Sequence, residues 1–226
     1  MQDPDKESGE AAASSKPGRR YSTPKRDQRA AATRATILAA AETMFLRDGY
    51  VGTTMKAIAA HAGVSEKTMY LTFSSKATLL RQVIQLAVRG DEAPTPLAER
   101  SEWRALVAGP AAEILTRFAA RNATLMTRTA AVIALGESAA STDPELAQYR
   151  DQAHAETRTN LRALAAELKT RGVLAPGISE QDAADTIYAL AVDESVYLRL
   201  TRDCGWTPAR YTDLIARTLT ATLTDK

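Results

Sequence analysis

Between Arg29 and Gly90 the chain carries four apolar runs at helical spacing, set so close together that no strand fits between them, and this crowding constrains the fold most. Ile37, Ala41 and Phe45 fall on one line with Leu38 beside it, which predicts a first helix from Arg29 that ends at Gly49. Gly52-Thr53-Thr54 interrupts, and Thr54 is placed to N-cap a short helix, Met55 to Ala62, with Met55, Ile58, Ala59 and Ala62 inward. Gly63 stops it. Ser65 is the next N-cap and opens a helix through Phe73; Ser74 or Ser75 opens a fourth, with Ala77, Leu80, Ile84 and Val88 along one face.

Residues 91–100 hold two prolines, Pro94 and Pro96, and read as a connecting segment. Beyond it the sequence turns Ala- and Leu-rich. A short helical piece around Trp103 breaks at Gly109-Pro110, and a long run follows from Ala111 to about Ala140. Asp143-Pro144 opens a helix to Arg171, Ser179-x-x-Asp182 resembles a capping box that opens one toward Arg202, and Thr207-Pro208 opens a last one to about Leu223. No stretch alternates with period two for long enough to make a sheet, so the chain is predicted all-α. The first 28 residues lack apolar periodicity and are predicted disordered, acidic residues first and then a basic arm of Lys16, Arg19, Arg20, Lys25 and Arg26. The predicted organisation is a tail over 1–28, a head over 29–76 and a larger helical body over 77–226.

The 226 residues, 45% hydrophobic and 25% charged, suit a globular protein, and a net charge of +2 requires any basic footprint to be local. One cysteine, Cys204, leaves no intramolecular disulfide, and no apolar run approaches the about 20 residues of a membrane span. A cytoplasmic protein with no membrane partner is expected.

The segment from Met55 to Phe73 carries the chemistry. Two short helices that meet steeply need a small residue near their crossing, and Ala59 sits there; the turn needs a residue tolerant of positive φ, and Gly63 supplies it; Ile58, Val64 and Met69 anchor both sides. The pattern fits a helix-turn-helix or an αα-corner in a helical bundle. Thr53-Thr54, Ile58-Ala59, Ala62-Gly-Val-Ser65, Thr68-Met-Tyr70, Phe73 and Ser75-Lys76 resemble the signature of the tetracycline-repressor (TetR) family of bacterial transcription regulators.

That resemblance implies a three-helix DNA-binding head, and a C-terminal helical domain that dimerises and binds a small-molecule effector. Thr54, Ser65, Thr68, Tyr70, Thr72 and Lys76 match positions that hold phosphates in the family, and hydroxyls, a lysine and a helix N-terminus are suitable donors. Lys67 is expected to reach a guanine O6 and N7, with Glu66 and Leu71 completing the DNA-facing set. Glu66 stands where a basic residue is common, and Leu71-Thr72 replaces an aromatic-histidine pair. Met69 and Phe73 read as core. In this context Arg19, Arg20, Lys25 and Arg26 are expected to reach an adjacent minor groove.

The last two helices carry Leu190, Tyr197, Leu198, Leu214, Ile215, Thr218 and Leu219, the expected interface of a homodimer built as a four-helix bundle; packing within one chain is the alternative. Polar and aromatic residues set in apolar helices, Trp103, Phe118, Asn122, Met126, Tyr149, His154 and Tyr188, are the expected lining of an enclosed effector pocket. His61 and His154 are far apart, which gives no metal site, and no phosphate loop, nucleophile elbow or acid-base cluster appears, so neither an enzyme nor a cofactor is expected. The sequence thus predicts a regulator that holds a palindromic operator in double-stranded DNA until an effector releases it. The rival is an all-helical protein-interaction module or enzyme that ignores DNA.

Overall fold

The computed structural model describes residues 24–90 and 101–225. Helix α1 spans Pro24–Gly52, α2 Met55–His61, α3 Glu66–Thr72 and α4 Lys76–Arg89; then come α5 Ser101–Val107, α6 Ile114–Ala140, α7 Pro144–Thr170, α8 Glu180–Ala191, α9 Glu194–Leu198 and α10 Pro208–Leu223. Single turns at Ala111–Glu113 and Arg199–Asp203 complete the path, and no strand occurs among the described residues.

Side-chain caps set most of the boundaries. Thr54 accepts from the Ala57 N–H, Ser65 from Thr68, Ser75 from Thr78, Asp143 from Glu145 and Leu146, and Thr207 from Arg210, each satisfying donors that the first helical turn leaves free. Ser179 and Asp182 form a reciprocal capping box at α8. Pro144 and Pro208 stand in first turns, where a missing N–H is harmless.

Two expectations are corrected here. Helix α1 begins at Pro24 rather than Arg29, so residues 24–28 belong to a helix and not to a disordered tail. Its extra turn has no apolar face to reveal it; a first-turn proline, Asp27 near the N-terminus and the alanine-rich run that follows favour helix on propensity alone. The helix predicted from Ser179 toward Arg202 is broken at Val192-Asp193, because Asp193 accepts from the N–H groups of Ser195 and Val196 and starts a new helix. The carbonyl of Ala191, freed by this break, accepts from Asn122 Nδ2 and from the Tyr211 hydroxyl.

The buried apolar residues form two clusters. One unites α1 to α4, including Ile37, Phe45, Ile58, Met69, Phe73, Leu79 and Leu80, and is closed by Val132, Ala139 and Ala140 of α6 and Leu146 of α7. The other fills the space between α5, the first half of α6, and α7 to α10. Helix α6 therefore runs through both. Where it crosses α4, a Cβ on Gly136 would stand 2.6 Å from Ile84 Cδ1, so glycine permits the close approach. The sequence division at 76/77 falls at the start of α4, whose buried residues Ala77, Leu79, Leu80, Val83 and Ile84 share the head's cluster.

Candidate nucleic-acid interface

The turn between α2 and α3 is a Schellman motif: the Val64 N–H donates to the Ala59 carbonyl at 3.0 Å and the Gly63 N–H to Ala60 at 3.2 Å. Gly63 has φ 67°, and a Cβ there would meet nothing within 4 Å, so the backbone conformation and not space calls for glycine. The motif delivers the chain to Ser65, whose hydroxyl caps α3 and lies 2.8 Å from that of Thr68.

Helix α3 is held by its inner face. Met69 and Phe73 are fully buried, and the Arg34 guanidinium lies over the Phe73 ring at 4.8 Å. At about 100° per residue, Lys67 and Leu71 lie within about 40° of each other on the side opposite Met69. Lys67 is exposed and Leu71 is 79% exposed; Tyr70, on the flank, is 56% exposed. Exposed Glu66 lies 3.4 Å from Lys56 on α2, a solvated pair that offsets the carboxylate's charge on this face. Thr68 and Thr72 are half-buried, and the Thr72 hydroxyl donates to the Thr68 carbonyl. Thr54 is exposed at the start of α2.

Residues 37–83 match the family model described as bacterial regulatory proteins, tetR family. That segment, which holds α2, α3 and the turn between them, is where this chain is similar to the family. NalD of Pseudomonas aeruginosa, the secondary repressor of the MexAB-OprM multidrug efflux pump, has a similar structure with a TM-score of 0.66 at 20% identity, covering 87% of this chain and 99% of that one. The ketosteroid transcriptional regulator KstR2 of Mycobacterium tuberculosis gives 0.62 at 18%, covering 85% and 95%. A Saccharomonospora viridis protein in complex with choline gives 0.66 at 17%, covering 87% and 100%. No curated protein matches the chain. The all-α TetR fold, with its N-terminal helix-turn-helix and larger C-terminal helical part, is thus the fold of this molecule.

Lys76, which the resemblance assigns to a phosphate, is already engaged within the chain. It is half-buried, its Nζ donates to the carbonyls of Tyr50 at 2.8 Å and Thr53 at 3.0 Å, and it lies 4.3 Å from the centre of the Tyr50 ring. With two of three ammonium donors engaged, its first task in the head is to cap the end of α1. The same junction joins head to body. The Tyr50 hydroxyl donates to Asp143 Oδ2 at 2.7 Å, burial and the neighbouring Asp143 and Glu145 carboxylates hold that phenol protonated, and Ser75 and Thr78 hydroxyls donate to Glu145. Sequence reasoning identified Asp143 as a cap but missed Tyr50 and Glu145, because contacts between residues nearly a hundred positions apart leave no local signal.

Of the basic arm, Arg19 and Arg20 and the side chain of Lys25 lie outside the described residues; Arg26 is exposed in the first turn of α1. Three of the expected interface residues are corrected. Tyr197, Ile215 and Leu219 are buried within the chain, Tyr197 edge-on to Tyr211 at 4.9 Å with its hydroxyl 2.7 Å from that of Thr127. These three form the inner stripe of their helices; Leu190 is 37% exposed and Leu198, Leu214 and Thr218 are half-buried, which leaves them nearer the surface.

The residues expected to line a pocket are packed rather than set around a space, and one of them, Tyr149, lies apart from the rest; the His154 ring stands 6.4 Å from that of Tyr188. Phe118 and Met126 are packed in the body core, with Trp103 and Tyr188 against it, whereas Tyr149 packs on the head's cluster. Burial pushes the Tyr149 phenol up to about 12. Asn122, polar in an apolar helix, is explained by the Ala191 carbonyl it serves, and His154 Nε2 lies 3.0 Å from Glu137. Open clefts lie elsewhere, one of about 460 Å³ beside Trp206 and Arg210 and another of about 380 Å³ between α1 and α4. Among the described residues no helix is long and apolar enough to cross a membrane, and no cluster of three or more His, Cys, Asp or Glu residues is arranged for a metal ion.

Replacing Lys76 by Met keeps the stem but strips donors from two carbonyls, and a stability loss of about 1–3 kcal/mol is expected in urea unfolding. A variant as stable as the parent would show that water satisfies those carbonyls equally well.

Proposed function

We propose that the chain is a DNA-binding transcriptional regulator that occupies a palindromic operator as a homodimer, represses from it, and is released by a small-molecule effector. The observation that carries this reading is the outward ridge of Lys67 and Leu71 on a capped helix, anchored from behind by Met69, in the segment that matches the TetR-family model. Such a helix is narrow enough to enter a major groove, where Lys67 addresses guanine while Thr54, Ser65, Thr68, Tyr70 and Thr72 meet phosphates. The third donor of Lys76 is available for a phosphate too. Arg19, Arg20, Lys25 and Arg26, at and before the start of α1, extend the same contact into a minor groove. Helices α1 to α4, which share one core, serve as the head and the helices from α5 onward as the body, in the bacterial cytoplasm where operator DNA lies.

Dimerisation is assigned to the outer face of the last helices, through Leu190, Leu198, Leu214 and Thr218, so that two heads meet half-sites about one helical turn apart. An effector releases DNA only by binding two head spacings unequally. A neighbour of the same fold is in complex with choline, and a body far larger than dimerisation needs is in keeping with a ligand-binding role. In this chain the ligand must open the packed body core or use a site other than the expected seven residues.

Binding of the full chain to duplex DNA, titrated from low to high salt, tests the reading. Affinity is expected to fall steeply with rising salt, because the counterions that binding releases gain less entropy in a saltier solution, and Lys67→Ala is expected to cost about 1–3 kcal/mol on the preferred duplex. Retention that ignores salt, or no retention, would instead support the protein-interaction or enzyme reading.

The interface assignment separates two variants. Leu190→Glu with Leu214→Glu is expected to sediment as a folded monomer with weakened operator binding, whereas Leu219→Glu, which buries a charge in the chain's own core, is expected to unfold it. A folded dimer from the double variant would place the seam elsewhere.

A further inference from the structure

The geometry points to Leu71 as a specificity-determining residue that packs against the C5-methyl of a thymine, about two base pairs from the guanine addressed by Lys67. This rests on the DNA-binding reading and names a base that the reading leaves open. Three observations support it. Leu71 is 79% exposed although its neighbour Met69 is fully buried, so it plays almost no part in packing the chain. It lies one helical turn after Lys67 on the side of α3 farthest from the core, so whatever the lysine meets on entering a groove, the leucine meets next. And the chemistry of the ridge is mixed, an ammonium followed by an alkyl group with no hydrogen-bonding capacity of its own.

Only one apolar group projects from the natural base edges into the major groove, the thymine methyl, and it is therefore the partner that lets Leu71 leave water without stranding a base donor or acceptor. Four residues along a helix advance about 6 Å, close to two base-pair steps of about 3.4 Å. The two side chains thus fall on different base pairs, a guanine for the donor and a thymine for the alkyl group. Tyr70 at 56% exposure and the Ser65 and Thr68 hydroxyls flank the ridge and are placed to meet backbone rather than base edges.

The test uses the full chain. A preferred duplex is selected from random DNA, each thymine is replaced in turn by uracil, which removes only the methyl, and affinities are measured for the parent, Leu71→Ala, Leu71→Met and Lys67→Ala. Circular dichroism checks that the variants retain the parent's helicity. The parent is expected to lose about fourfold at one thymine per half-site, the transfer worth of one methyl group. Leu71→Ala is expected to bind the thymine and uracil duplexes alike, Leu71→Met to keep part of the difference, and Lys67→Ala to keep it while binding both more weakly. If no thymine shows a methyl dependence, or the difference survives in Leu71→Ala, Leu71 does not read the base even though the chain binds DNA. If no duplex is enriched at all, the DNA-binding reading falls and this inference with it.

Discussion

Everything that faces outward from the head depends on the burial of Met69 and Phe73. Helix α3 has seven residues, too few to stay helical alone in water, and it holds its shape because these two side chains insert into the core formed with α1, α2 and α4. Each burial contributes roughly 1.5–3 kcal/mol. The same two contacts fix the helix's rotation, and rotation decides which residues are presented. Turned by about a quarter of a turn, α3 would offer Tyr70 or Thr68 in place of the Lys67–Leu71 ridge.

The head is in turn fastened to the body at two kinds of contact. Apolar contact comes from the second half of α6, where Gly136 allows Ile84 to come close and Val132, Ala139 and Ala140 close the head's cluster. Polar contact comes from a junction in which Lys76 caps α1 and stacks on Tyr50, Tyr50 donates to Asp143, and the start of α4 donates to Glu145, and from Arg128 of α6, which donates to the Val88 carbonyl near the end of α4. Asp143 and Glu145 open α7, so a shift of that helix within the body moves the groups that hold the ends of α1 and α4.

The elements were legible in the sequence where their determinants are local. Caps at Thr54, Ser65, Ser75, Asp143, Ser179 and Thr207, and the stop at Gly63, are written in single residues with fixed offsets, and the helices start and end close to them. The break at Asp193 was missed because an aspartate inside an amphipathic run looks like a surface position until its side chain is seen to accept from Ser195 and Val196. The early start of α1 was missed for the opposite reason, since alanine and arginine make helix without an apolar stripe. On α3 the inward and outward faces were legible from spacing alone. The interface and pocket were not: Tyr197, Ile215 and Leu219 are as apolar as any seam residue, and only the packed chain shows that they are already covered. Asn122 signalled a polar task correctly, but whether that task was a ligand or the orphaned carbonyl of Ala191 depended on a helix break 69 positions away.

The core behind α3 leaves Lys67 and Leu71 facing outward and no other pair of its residues so exposed to a groove. The most direct measurement is a crystal structure of the full chain bound to its selected duplex. Helix α3 is expected to lie in the major groove, with Lys67 Nζ within hydrogen-bond reach of a base edge and Met69 and Phe73 still buried. A duplex bound on another surface, or α3 rotated so that Lys67 and Leu71 point to solvent, would contradict it.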